Sequence, residues 1–133
     1  MISTRYVRRF AIGVVTLTCF ALMSAQPSFA QDAPPGPEAA PDVYKTLAEN
    51  DQWRVIEGTW QPGQEDNFHS HPADRVSLIQ TDCKLHISKP DGTFRVGEPK
   101  AGKVIVRTGK PVASHKAKNI GESVCVIRIV ELK

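Results

Sequence analysis

The sequence predicts an all-β domain from about residue 51 to its end, and three observations support this prediction. Short runs rich in Val, Ile, Thr and Trp recur along this region, and these residue types favour strands. Gly, Pro and Asp separate the runs at close intervals, as they do at turns. No stretch has a sustained helical period. About eight short strands with frequent turns are typical of a sandwich or a barrel.

The first elements follow from residue types and alternation. Residues 42–50 fit either one helical turn or a short strand that turns its apolar side chains inward. Residues 52–60, rich in Trp, Val, Ile and Thr, predict the first clear strand. Residues 75–80 predict a short apolar strand. Residues 83–88 alternate between apolar and polar side chains, which indicates a strand that is buried on one face.

The second half continues the pattern. Asp91 and Gly92 can adopt the positive φ angles of a tight hairpin, so residues 94–96 should return beside the previous strand. Residues 103–108 and 114–119 predict two further strands. The closing run, residues 123–132, is the most apolar segment of the domain and predicts its last strand.

Residues 1–30 resemble a secretory signal peptide. Three arginines precede an apolar run that ends near residue 25, and small Ser28 and Ala30 stand where a signal peptidase would cleave. The apolar run is shorter than a membrane span. We therefore expect cleavage after Ala30, no stable membrane insertion after processing, and a periplasmic or secreted protein.

Processing would also change the charge of the chain. Residues 1–30 hold three of the 17 basic residues and none of the 14 acidic ones, so the remainder has a formal net charge of zero. This balance argues against nucleic acid as a partner. Residues 31–42 are rich in Pro and Ala and predict a disordered or extended linker. Residues 43–133 would form the domain.

Two cysteines, Cys83 and Cys125, remain after processing, each in an apolar run that predicts a strand. An exported protein can keep a disulfide. Free cysteines in such runs usually act as small buried hydrophobic residues, however, and the sequence does not give the distance that a bridge requires. The sequence therefore favours two buried thiols over a bridge.

Three of the four histidines form a candidate metal site. His69 and His71 are two residues apart, so an extended strand turns both side chains to one face. Pro72 favours that extended backbone. His115, on a later strand, is the candidate third ligand. Imidazole ligands suit a divalent transition metal such as zinc, iron, manganese, nickel or copper. His86 shares a face with polar residues and should face solvent.

Two other polar positions have simpler interpretations. Glu65 and Asp66 precede the histidines in a polar loop, where we expect both carboxylates to be solvated. Asn119 is the last residue of the predicted strand 114–119 and begins the sequence Asn-Ile-Gly. We expect it to close a turn there and not to bind a metal.

The histidine spacing resembles the motifs of small single-domain cupins. Gly63, five residues, His69, Ser70 and His71 follow the first cupin motif, and His115, three residues and Asn119 follow the end of the second. The resemblance extends from about residue 53 to residue 133. It implies an antiparallel jelly-roll barrel with the histidines at its mouth.

The sequence departs from the cupin pattern where the first motif has a glutamate, because Arg75 and Val76 stand there. Arginine does not bind metals. Three interpretations follow: Arg75 binds an anionic ligand at a site without metal; Asp74 turns inward as the missing carboxylate; or Arg75 points outward and three histidines with water complete the site.

Three classes of function fit these observations. We favour a non-catalytic module that holds a metal or a small polar ligand. A metal-dependent enzyme of the cupin type, such as a dioxygenase, isomerase or lyase, is the alternative, with Asp74 and Glu57 as its candidate acids or bases. A structural domain without metal is the third, and pairing through edge strands would give a homodimer.

Overall fold

The computed structural model describes residues 32–133, so the expected signal peptide lies outside the described residues. This range is all-β, as predicted, with one helix of four residues, and it contains no helix that is long and apolar enough to cross a membrane. In chain order its elements are α1 (Gly36–Ala39), β1 (Tyr44–Glu49), β2 (Trp53–Trp60), β3 (His69–His71), β4 (Arg75–Ile79), β5 (Leu85–Ser88), β6 (Phe94–Gly97), β7 (Val104–Arg107), β8 (Val112–Asn119) and β9 (Cys125–Leu132).

The strands form two antiparallel sheets. The five-stranded sheet has the order β1-β2-β9-β4-β7, and the four-stranded sheet has the order β3-β8-β5-β6. These sheets are not closed into a barrel, so the closed barrel that we expected is wrong. The edge strands β3, β6 and β7 have only three or four residues each, which leaves little backbone to pair across the gap.

The core lies between the two sheets. Along β9, Cys125, Ile127 and Ile129 alternate inward and are buried, while the residues between them are more exposed. They pack with Ile56 from β2 and with Leu85 from the other sheet. Burying such side chains contributes roughly 1.5–3 kcal/mol each.

The predicted hairpin at Asp91 and Gly92 is confirmed. Gly92 has a φ of +82°, which a residue without a side chain adopts at little cost. The backbone N–H of Lys89 donates to the carbonyl oxygen of Thr93 at 2.9 Å, and this bond closes the turn between β5 and β6.

Residues 33–40, in the segment that we expected to be a disordered or extended linker, contact the domain. The Ser70 N–H donates to Pro34 O at 2.9 Å, and the Ala33 N–H donates to Ala113 O at 2.9 Å. Ala40 is completely buried. The free edge of β3 offers backbone groups to this segment through the Pro35–Ser70 bridge, and Ala40 joins the hydrophobic core. Composition alone does not predict this docking.

Cys83 and Cys125 form a disulfide, so the expectation of two free thiols is wrong. Their Cα atoms are 4.9 Å apart, and both residues are buried. Cys83 precedes β5 in the four-stranded sheet and Cys125 begins β9 in the five-stranded sheet. The bridge therefore ties the two sheets together, a contact that strand periodicity does not reveal.

Candidate metal centre and adjoining cavity

The strand β3 turns His69 and His71 to the same buried face, as the spacing predicted. His69 is 0% exposed and His71 is 6% exposed, whereas Ser70 between them is only partly buried. This is the period of two expected for an extended strand. Both imidazoles therefore point into the space between the sheets.

His115 completes a cluster with these two residues. It stands directly opposite His69 in the β3–β8 ladder, and the two Nε2 atoms are 2.9 Å apart. The register shifts between His69 and His71, as at a β-bulge. One ring nitrogen from each of the three residues lies within 4.8 Å of the others. We call His69, His71 and His115 the histidine cluster.

A backbone contact fixes the protonation of His69. Its Nδ1 lies 2.9 Å from the carbonyl oxygen of Asn67. Because a carbonyl oxygen only accepts, Nδ1 carries the proton and Nε2 presents a lone pair. His115 Nε2–H can then donate to that lone pair. For His115 to bind a metal through Nε2, this proton would have to move to its Nδ1.

His71 is oriented by a carboxylate from the facing sheet. Its Nδ1 donates to Glu131 Oε1 at 2.6 Å, which leaves Nε2 free. Glu131, on β9, is fully buried and also accepts from Nε (3.0 Å) and Nη2 (2.7 Å) of Arg54. Burial alone would raise the pKa of Glu131, but His71 and then Arg54 lower that pKa overall. Such carboxylate–histidine pairs are typical behind metal ligands.

A second buried carboxylate lies behind His69. Asp66 is only 4% exposed, so the expectation that it is solvated is wrong. It accepts hydrogen bonds from Tyr44 Oη (3.0 Å), Trp60 Nε1 (3.1 Å) and the Ala117 N–H (2.6 Å). Burial raises its pKa to about 6 despite these bonds. Asp66 is thus buried beneath Tyr44 and Trp60, whereas its neighbour Glu65 is exposed, as expected.

Tyr44 joins this carboxylate to the histidine cluster. Its hydroxyl oxygen is 3.0 Å from Asp66 Oδ2 and 3.0 Å from His69 Nε2. Gly58 stands opposite Tyr44 in the β1–β2 ladder, and a Cβ there would lie 2.9 Å from the Tyr44 ring and 2.6 Å from Trp60. The glycine therefore makes room for both rings.

The pKa values of His69 and His115 are lowered, which keeps both imidazoles in the neutral form that binds metals. Burial, which is opposed by the hydrogen bond to Asn67, lowers the pKa of His69 to about 4. Burial, together with the nearby charges of His69, His71 and Arg75, lowers the pKa of His115 to about 2. Both imidazoles are therefore neutral at pH 7, as ligation requires.

This donor set fits a divalent transition metal. Three neutral imidazoles can hold zinc and leave a coordination position open. They also suit copper, iron and nickel. Acceptors at Nδ1 fix the rings of His69 and His71, so the orientation of their Nε2 atoms is set before a metal binds.

Arg75 faces the interior and not the solvent. It is 9% exposed, and it lines a cavity together with His71 and His115. Its Nη1 donates to Pro72 O at 2.7 Å. Asp74 does not supply the missing carboxylate, because its Oδ1 accepts from the Gly109 N–H at 2.8 Å and it does not line the cavity. An outward Arg75 and an inward Asp74 are both contradicted.

The cavity lies between the two sheets and has a volume of about 530 Å³. Apolar side chains from both sheets form much of its wall, including Ile79, Leu85 and Ile129. His71 and His115 border it directly. Pockets of this size and character accommodate small organic molecules.

The remaining candidates lie away from the histidine cluster. His86 stacks on Phe94, with 4.6 Å between ring centroids, and does not join the cluster. Asn119 is buried and closes the turn as expected, because its Oδ1 accepts from the Gly121 N–H at 3.0 Å. Glu57 accepts from Arg128 Nε at 2.8 Å and does not line the cavity.

The sequence interpretation missed Glu131, although a pattern pointed to it. Residues 125, 127 and 129 form the apolar inner face of the closing strand, and residue 131 continues that face by the same period of two. A glutamate on a buried face needs a partner. The pattern therefore indicates an internal carboxylate.

Comparisons with known proteins agree with this architecture. A cupin domain from Bordetella pertussis is 25% identical, with a TM-score of 0.61 over 75% of this chain and 96% of its own. An RmlC-like cupin family protein with a double-stranded β-helix fold, from Methanocaldococcus jannaschii, is 11% identical, with a TM-score of 0.51 over 68% of this chain and 78% of its own. No family model matches the chain, and no curated protein matches it. The chain therefore has a cupin fold with three histidines that could bind a metal.

Proposed function

We propose that this protein is an exported binding module that holds a divalent transition metal through His69, His71 and His115, with a small polar ligand in the adjoining cavity. One observation carries the proposal: three imidazoles from two strands converge within 4.8 Å. A backbone carbonyl and a buried carboxylate fix the Nδ1 atoms of two of them. A cluster of exposed histidines would not need such support.

The carboxylates support binding over catalysis. Asp74 and Glu57, which the sequence offered as acids or bases, are engaged away from the cavity. Glu131 forms an ion pair with Arg54 and accepts a hydrogen bond from His71 Nδ1. Asp66 lies behind His69 and receives three hydrogen bonds from the protein. General acid or base catalysis needs a group within hydrogen-bond reach of the substrate.

A metal-dependent cupin enzyme, such as a dioxygenase, isomerase or lyase, is the alternative. The observation in its favour is the cavity of about 530 Å³ that borders His71 and His115. It gives a substrate room beside the candidate metal position. A metal there would act as a Lewis acid or activate a bound small molecule.

Export is supported by two independent features. Residues 1–30 have the composition of a signal peptide. The Cys83–Cys125 disulfide would persist in an oxidising compartment such as the periplasm. N-terminal sequencing of the protein from the producing cells should begin at or near Gln31. Intact Met1 in a soluble cytoplasmic fraction would contradict export.

Elemental analysis of the purified protein at neutral pH tests the metal proposal. We expect one divalent metal ion per chain. Zinc without turnover would support the binding module, and a redox-active metal accompanied by oxygen uptake would support the enzyme. Protein that contains no metal and takes up none from solution would contradict both.

A further inference from the structure

Two arginines stand side by side on the wall of the cavity. Arg75 on β4 and Arg107 on β7 are directly opposite each other in the ladder, and both line the cavity. Like charges in this arrangement are destabilising. Within residues 32–133, neither guanidinium has a carboxylate within 4.0 Å. The fold therefore keeps a repulsive pair that it does not neutralise.

A third arginine reaches the same cavity from the other sheet. Arg95, on β6, lines it together with Arg75 and Arg107, and it too lacks an ion pair among the described residues. Lys103 adds a further positive charge to the lining. The carboxylate in that lining, Glu98, lies 3.2 Å from the Lys84 ammonium. We call Arg75, Arg95 and Arg107 the arginine cluster.

The guanidinium of Arg75 has donors to spare. A guanidinium carries five N–H donors, and Arg75 uses Nη1 for Pro72 O. Every fully buried side-chain nitrogen and oxygen in the described residues has a partner. The other donor nitrogens of Arg75 are therefore not fully buried, and the residue lines the cavity. Burial, and then the charge of Arg107, lowers the pKa of Arg75, although the charge of Glu131 partly opposes this shift.

An arginine on the outer face of the same sheet behaves differently. Arg128 on β9 is 49% exposed and donates to Glu57 at 2.8 Å. The protein therefore supplies the counter-charge of Arg128 itself. The three arginines of the cluster instead border the cavity from both sheets and have no carboxylate partner among residues 32–133, so their charges are left for a partner from solution.

We propose that the arginine cluster binds the oxyanion of a small organic acid, a carboxylate or a phosphate ester, whose remaining atoms extend toward His71 and His115. The planar fork of a guanidinium matches such groups with two parallel hydrogen bonds. The ligand would also offset the repulsion between Arg75 and Arg107. This inference deepens the proposed function, since it names the class of ligand beside the metal. It can be tested separately, because arginines bind an oxyanion without any metal.

Calorimetric titration of the purified protein with malonate and with inorganic phosphate tests this assignment. Arg107→Gln and Arg95→Gln are the informative variants, because both side chains are exposed and their loss should not unfold the protein. Arg128→Gln is the matched control. We expect each cavity variant to weaken binding about tenfold or more and the control to bind like wild type. Binding should also weaken as the salt concentration rises.

To distinguish binding by the arginines from binding by a metal, each titration is run on chelator-treated protein and again after addition of zinc. Binding of either probe in both states supports the arginine assignment, and the tighter probe identifies the head group. The assignment would be overturned by no binding of either probe, or by equal affinity in wild type and both cavity variants. Binding only in the presence of zinc would also overturn it, because the anion would then be a metal ligand, while the metal proposal would stand.

Discussion

The histidine cluster and the arginine cluster border one cavity but differ in how the protein supports them. His69 and His71 each have an acceptor at Nδ1 from a carbonyl or a carboxylate. Arg95 and Arg107 have no carboxylate partner within residues 32–133. The comparison shows that one group is oriented before any ligand arrives, whereas the other lacks a counter-charge that a ligand could supply.

The position of each group in the sheets explains the difference. The strand β3 is paired with β8 on one side and bridged by the segment at Pro35 on the other, so its side chains are enclosed. The strands β6 and β7 are edges of their sheets. Arg95 and Arg107 on these edges remain open to solvent.

The largest expected effect is a loss of stability on removing the charge of Glu131, which orients His71 in the histidine cluster. Arg54–Glu131 and Arg128–Glu57 are both directly opposite pairs in the β2–β9 ladder, but only the first is buried. Breaking a buried ion pair costs about 3–5 kcal/mol, whereas an exposed pair contributes about 0–1 kcal/mol. Glu131→Gln should therefore lower the free energy of unfolding far more than Glu57→Gln. Equal losses in denaturant titrations would show that the buried support does not matter.

A smaller effect should follow from reversing a charge in the arginine cluster. Arg75→Glu replaces an inward cation beside His115 with a carboxylate. We expect metal affinity to rise about tenfold, because an attraction replaces a repulsion at short range, and oxyanion binding to be lost. Arg128→Glu, on the outer face, is the control. Unchanged metal affinity in Arg75→Glu would mean that the two clusters do not sense each other.

The smallest expected effect is a loss of stability in acid without metal. The pKa values of His69 and His115 fall from 6.5 to about 4 and about 2 on folding, so below pH 6.5 the unfolded chain binds protons that the folded chain does not. Stability therefore decreases as pH falls. Asp66 opposes this trend, since its pKa rises to about 6, but it is one group against two.

The thermal midpoint of chelator-treated protein, measured from pH 7 to pH 5, tests whether stability decreases as the pH falls. It should decrease steadily across the range. His115→Ala should show a shallower decrease, because it removes one of the two depressed histidines. A midpoint that stays constant or rises toward pH 5 would contradict the burial of neutral imidazoles.

Local spacing was sufficient to predict most of the strands and the histidine cluster, but it left residues 42–50, which contain β1, open between a helical turn and a strand. A period of two placed His69 and His71 on one face, and motif spacing identified His115. Strand periodicity and motif spacing both depend only on the order of residues in the sequence. The inner face of the closing strand could also have revealed Glu131.

The support around the cluster could not be predicted, because it depends on contacts distant in sequence. Asp66 is buried by Tyr44, Trp60 and Ala117, which lie 22, 6 and 51 residues away. Cys83 and Cys125 are 42 residues apart, and only the packing of the two sheets brings them together. Arg75 and Arg107 become neighbours only when β4 pairs with β7.

The central claim is that His69, His71 and His115 bind one metal ion together. Calorimetric titration of zinc into chelator-treated protein at pH 7 tests it most directly, with His86→Ala as the matched control. Wild type and His86→Ala should each bind one zinc ion per chain. His115→Ala should bind more than about 100-fold more weakly, since the loss of a mere outer partner already costs 10–100-fold. Absence of zinc binding by wild type, or equal affinity in all three proteins, would contradict the claim.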